Sequence, residues 1–274
     1  YLESEDGLIG SPHSIEYIND RLYIVDKGQF KVNIHNPNTW EMETVYYHGG
    51  GFQPTDVCYM NGRIYLTTDN YDSIRELEPY HLYPIQTYHN GGSGDGQFNY
   101  PYSIWCQDDQ LYIADRNNHR IVRHNATTLA FIDKAGSSGS GQDNFNIPSG
   151  MAGDGTYLYI ADYGNDRVVK RWASNLSYVD EVSGTMNGPS DIATDGTKLY
   201  VTDSYNDRVM IYWNENLSYI DTFGSSGSGD GLFSNPASIT LSTESIFVAD
   251  WGTRNIQKFD KETYAHQDTF GIYI

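Results

Sequence analysis

The chain has 274 residues, with 17 Lys and Arg against 36 Asp and Glu, for a net charge of −19. A surface this acidic repels phosphate backbones, which argues against a nucleic-acid partner. Hydrophobic residues make up 38%, enough for a sizeable core, but no apolar run approaches the roughly 18 residues of a membrane span, so no membrane insertion is expected.

The first predicted unit opens at Pro12, with a short alternating run at Ser14-Ile15, a polar turn at Asn19-Asp20 and a stronger strand over 22–25. The second opens at Pro54 and repeats this order: Asp56-Val57, the turn Asn61-Gly62, a strand over 64–66. From Pro101 the unit adds a clear third strand at 120–123, after Ser103-Ile104 and the strand 111–114. From Pro148 it runs through Gly150-Met151, the turn 153–155 and the strand 158–161 to a fourth strand at 178–180. Pro189 and Pro236 open the last two copies, whose strong strands lie at 199–202 and 246–249. Four short β-rich runs per unit, separated by Gly, Asn and Asp turns, read as antiparallel hairpins, and no window sustains a helical period.

Successive prolines are 41 to 47 residues apart, a period that marks propeller blades. The reading is all-β: one six-bladed β-propeller of four-stranded antiparallel blades over 1–274, a pseudo-six-fold ring. Its blades are expected at about 8–51, 52–97, 98–144, 145–186, 187–231 and 232–274.

The segment Phe98-Asn-Tyr-Pro101-Tyr-Ser-Ile, followed by Leu111-Tyr-Ile-Ala-Asp115-Arg-Asn-Asn-His-Arg120-Ile-Val, resembles the NHL repeat. Asn-Asp-Arg-Val at 165–168 and 206–209, and the connector running from Phe223 through Gly-Ser-Ser-Gly-Ser-Gly-Asp-Gly to Phe233, extend the likeness over nearly the whole chain. Some copies depart from it. Lys31 replaces the Arg in copy one, Thr68 stands at the Asp position of copy two with Asp69 beside it, and Asn255 replaces the Arg of copy six. At the ends, residues 6–12 align with 230–236, and 268–271 with 221–224. Whole blades are therefore expected, without a strand donated between ends, and with adjacent termini on one rim. Beginning at Tyr1 with no visible signal peptide, the chain reads as a mature or excised segment.

A short acid and an Arg five residues apart recur as Asp115/Arg120, Asp162/Arg167 and Asp203/Arg208, with further acids at Asp250 and near Asp69. Recurrence from copy to copy points to a structural task, bonding backbone and each other across a tight bend. The Gly-Ser-rich runs near 91–96, 136–141 and 224–231 lack calcium-nonapeptide and Walker spacing and read as turns between blades. Asn125, Asn175 and Asn216 head N-glycosylation acceptor patterns in exposed turns, conditional on a glycosylating secretory route. Cys58 and Cys106 lie on neighbouring blades with opposite strand parity, so they either meet between blades or face away; two buried free thiols are the favoured expectation.

Function is sought where copies differ. On the face that collects the bends after the second strands, Lys27, Tyr71, Arg116, Tyr163, Tyr205 and Trp251 vary, and His13 and Tyr102 follow their prolines closest to the channel. Exposed flat rings mixed with polar groups suit a ligand-binding surface for a glycan or peptide, with Tyr163, Tyr205 and Trp251 on successive blades. The main expectation is a non-catalytic extracellular or cell-surface recognition or assembly module with a protein or glycan partner. Self-assembly through the rim and tails, as a repeating subunit of an appendage or filament, belongs to this expectation. Two cysteines, few lysines and abundant Asn, Ser, Gly and Tyr suit that location. No cofactor is expected. The competing reading is a metal-dependent lyase or hydrolase, since related six-bladed enzymes hold a central metal. Here only Asp56 and Asp191 reach the channel mouth, a set that suits calcium with backbone carbonyls but not zinc.

Overall fold

The computed structural model describes residues 9–47, 53–79 and 81–271. Six four-stranded antiparallel sheets follow one another along the chain, and each is built from four consecutive strands. Their innermost strands are Pro12–Ile18, Pro54–Met60, Pro101–Gln107, Pro148–Gly153, Pro189–Thr194 and Pro236–Leu241. Each packs against the innermost strand of the next sheet, and the sixth packs against the first. The molecule is thus a six-bladed β-propeller. Every blade opens at one of the six repeat prolines, which cannot donate to a ladder and so sit at the start of a strand.

The alternation of each strand decides the packing. The second strands, such as Leu111 to Ala114 and Leu158 to Ala161, are buried on both faces because a blade is sandwiched between two others. Six apolar clusters fill the gaps, each drawing on two adjacent blades. The outer strands, for example Tyr178–Ser183, are half exposed and interspersed with acids, a composition that discourages edge-to-edge pairing.

The repeated acid is a buried staple. Asp115 accepts the amide of Asn99 at 2.7 Å and the Arg120 Nε–H at 2.7 Å. The remaining Arg120 N–H groups donate to the carbonyls of Ser93, Gly94 and Gln97. Arg167 repeats this with Asp162 and the carbonyls of Ser140, Gly141 and Asn144. The Gly-rich connectors are therefore laced to the guanidinium of the following blade and closed by buried Phe98, Phe145 and Phe233. Where the motif departs, other groups take over. In blade six Gln257 accepts the amide of Gly231 and donates to the carbonyl of Leu232. In blade two Thr68 bonds Ser73, and Asp69 pairs with Lys27 of blade one.

Cys58 and Cys106 form a disulfide with Cα atoms 6.1 Å apart, which corrects the expectation of two free thiols. The reason lies in the ring. Neighbouring blades show opposite faces to one another, so residues of opposite parity point into the same gap. The first and last blades are joined by side chains: Ile9, Ile15 and Leu22 pack with Phe247 and Ile256, and Trp40 stacks on Phe270 with ring centroids 5.0 Å apart. The expected contacts of the tails, 1–4 and 272–274, lie outside the described residues. Among the described residues no helix is long and apolar enough to cross a membrane.

Candidate functional site

The channel is lined by the side chains that follow each repeat proline. At the position immediately after it, Thr55, Ser149 and Ser190 are buried and donate to the carbonyls of Pro101, Pro189 and Pro236 on the next blade. His13 does the same through Nδ1, 2.8 Å from the Thr55 carbonyl. These groups tie one blade to the next.

One residue further on stand Asp56 and Asp191, from opposite blades. Asp56 accepts the Ser14 hydroxyl at 2.5 Å, its neighbour Val57 N–H, and Ile104 N–H of blade three at 2.8 Å. Asp191 accepts the Ser238 hydroxyl at 2.6 Å and the amides of Ile192 and Ile239. Both carboxylates thus cap backbone across blade boundaries. A Cβ on Gly150 would lie 2.1 Å from Asp191 Oδ1 and 2.5 Å from its Cα, so only glycine lets these strands approach. Below them a cavity of about 150 Å³ also holds Glu16 and the edge of the Trp105 indole. Burial, reinforced by the Asp56 charge, pushes Asp191 up to about 7. Burial raises Asp56 as well, and it raises Glu16 well above the carboxylate range, with Asp56 and Asp191 adding to it. Among the described residues no three His, Cys, Asp or Glu side chains converge in a way that would hold a metal ion. Glu16 escaped sequence reasoning, although it lies two positions after Ser14 and therefore faces the channel by strand alternation.

Above this level the variable residues of the upper face gather around the channel mouth. Arg116 begins the short 3-10 turn Arg116–Asn118. Its guanidinium lies 4.1 Å from the Tyr102 ring centroid and 5.1 Å from that of Tyr163. Tyr102 meets His13 edge-on at 4.6 Å and stacks on Tyr100 at 6.0 Å. Tyr100 accepts from Lys27 Nζ at 2.5 Å, and that ammonium also pairs with Asp69. Tyr163 donates to the Tyr205 hydroxyl at 2.5 Å, and their rings lie 5.7 Å apart. Gly188 is the floor under this pair. Its φ is +64°, and a Cβ there would stand 2.7 Å from Tyr205 Cδ2 and 3.2 Å from Tyr163 Cε2. The His13 imidazole is kept neutral, its pKa lowered to about 3 by burial, with the Lys27 and Arg116 charges adding. Lys27 and Arg116 thus bring two cationic groups to this mouth on a chain whose net charge is −19.

His13, Tyr102, Arg116, Tyr163 and Tyr205 thus form one connected tract. Tyr71 and Trp251 stand apart from it: Tyr71 meets His89 edge-on at 6.1 Å, and Trp251 donates Nε1–H to Ser11 Oγ at 2.7 Å. Tyr205 and Trp251 are 58% and 52% exposed, so neither is consumed by packing between blades. Tyr100 was not singled out from sequence. Its place before Pro101 makes it look like repeat grammar, but its φ of +63° turns the ring toward the mouth.

The three acceptor asparagines differ. Asn175 and Asn216 are exposed, each accepting the amide and hydroxyl of the Ser two residues on, with Leu176 and Leu217 buried between. Asn125 is half-buried, and its Nδ2 donates to Asp109 at 2.9 Å.

No family model and no curated protein matches the sequence. The structure is similar to a chain in a crystal structure of a nidogen/laminin complex, with a TM-score of 0.70 over 89% of this chain and 91% of that one, at 14% identity. What the two chains share is the fold of the six-bladed β-propeller.

Proposed function

We propose that this NHL-like propeller is an extracellular, non-catalytic recognition module whose upper face binds a protein partner. The observation that carries the reading is the tract at the channel mouth. Its aromatic and cationic side chains are exposed or half-exposed and differ from blade to blade, whereas the repeated residues are spent on holding the ring together. Rigid aromatic rings give contact area at low entropic cost. The channel carboxylates, by contrast, are engaged with strand amides and neighbouring hydroxyls, which supports binding over catalysis. A similar propeller occurs in a complex named for two proteins, nidogen and laminin, which favours a protein partner. The disulfide supports an oxidising compartment.

Selection of a displayed peptide library on the immobilised chain tests this. The chain is expected to enrich a consensus that a Tyr163→Ser/Tyr205→Ser variant no longer retains. Equal retention by that variant, or no consensus at all, would overturn the reading.

A further inference from the structure

We infer that Arg116 is a carboxylate-recognition site, and that the segment docking on the upper face presents an Asp or Glu side chain to it; this rests on the recognition function proposed above. Acids outnumber cations about two to one in the chain, and most buried or half-buried cations are paired: Arg120, Arg123, Arg167 and Lys27 each hold a carboxylate. Arg116 holds none among the described residues. Its planar group is braced between the Tyr102 and Tyr163 rings, which fixes its orientation without occupying the whole fork of donors.

The acids nearest the mouth are not available to it. Asp56 and Asp191 are turned to the amides of Ile104 and Ile239, and Asp69 is engaged by Lys27. His13 is neutral and donates to Thr55, so it neither competes for Arg116 nor supplies a second charge. What remains is a pre-oriented guanidinium at the rim of a shallow mouth lined by Ser and Thr hydroxyls and by the amide-bound Asp56 and Asp191. The free space there, about 10 Å³, admits no deep insertion and keeps an incoming carboxylate above those acids. Such a group takes a planar carboxylate from above through paired N–H···O bonds. The occupant is an acidic peptide segment rather than a polyanionic glycan. One cation matches one carboxylate, whereas a run of charged sugars would meet the repulsion of a −19 surface.

The test uses the intact chain and an array of synthetic decapeptides in twin series, identical except that Asp and Glu in one are Asn and Gln in the other, with amidated C-termini. The wild type is expected to retain acidic members at least about tenfold more tightly than their amide twins, the scale of a hydrogen bond to a charged group. Arg116→Gln should erase that preference and Arg116→Lys should recover only part of it. Arg254→Gln, which removes an equal charge from the bend of blade six, should leave it intact. Equal retention of both series by the wild type, or a preference that survives Arg116→Gln, overturns the inference. If both series bind equally and both are lost in Tyr163→Ser/Tyr205→Ser, the recognition face stands and only the carboxylate assignment falls. Retention of sialylated or uronate glycans in place of any peptide overturns the peptide assignment.

Discussion

Arg120 and Arg208 occupy equivalent places in blades three and five and make the same Nε contact, yet their surroundings differ. Arg120 is buried and satisfies three connector carbonyls, whereas the Arg208 side chain is 30% exposed and its one such bond is to Thr185. Each change leaves a buried carboxylate, Asp115 or Asp203, without its guanidinium, but only Arg120→Ala also strands three connector carbonyls, so it should cost about 3–5 kcal/mol in urea unfolding, against about 1–3 kcal/mol for Arg208→Ala. Equal losses would refute the view that the guanidinium holds the connector. Asp191 offers a second test. Its folded pKa is about 7, above the ordinary carboxylate value, so the native state binds the proton more tightly than the unfolded chain. The stability it contributes is therefore complete below about pH 4 and lost as pH rises through about 7. The thermal midpoint of Asp191→Asn relative to wild type should accordingly climb between pH 4 and pH 7. A difference independent of pH would show that Asp191 ionises freely.

At the scale of the element, the innermost strands are joined mainly by single hydroxyls and carboxylates reaching a neighbour's backbone. The boundary between blades two and three has the Cys58–Cys106 disulfide in addition. The two cysteines are 48 residues apart, a loop whose closure is worth about 2–4 kcal/mol. Cys58→Ala/Cys106→Ala should lose about that much and make unfolding insensitive to reductant, whereas the wild type should be destabilised by reductant. If reductant has no effect on the wild type, the bond contributes nothing to stability. Strand order and blade count were legible because prolines, turn residues and alternating runs are local signals. The disulfide was not, because the parity of two strands decides contact only once the neighbouring blade is in place.

For the whole molecule, the closing seam lies between the sixth blade and the first. Each sheet is made of consecutive strands, so among the described residues closure depends on side chains, with Trp40 central. Its indole stacks on Phe270 and donates Nε1–H to Asp268 at 2.8 Å. Trp40→Ala should lower the thermal midpoint, and under limited proteolysis the first cuts should fall in the first or last blade. Early cuts in blades three to five would place the weak boundary elsewhere.

The six-fold array, its strands and its staple residues follow from the sequence alone, because each blade is a local unit and recurrence separates scaffold from variation. The upper-face candidates were legible for the same reason: they are the positions the repeat leaves free. Their grouping was not. Arg116, Tyr102 and Tyr163 come from two blades, and His13 from a third. Only closure of the ring brings them to one mouth, sets Tyr71 and Trp251 apart from it, turns Asp56 and Asp191 into backbone caps, and leaves the Arg116 guanidinium at that mouth without an acid among the described residues.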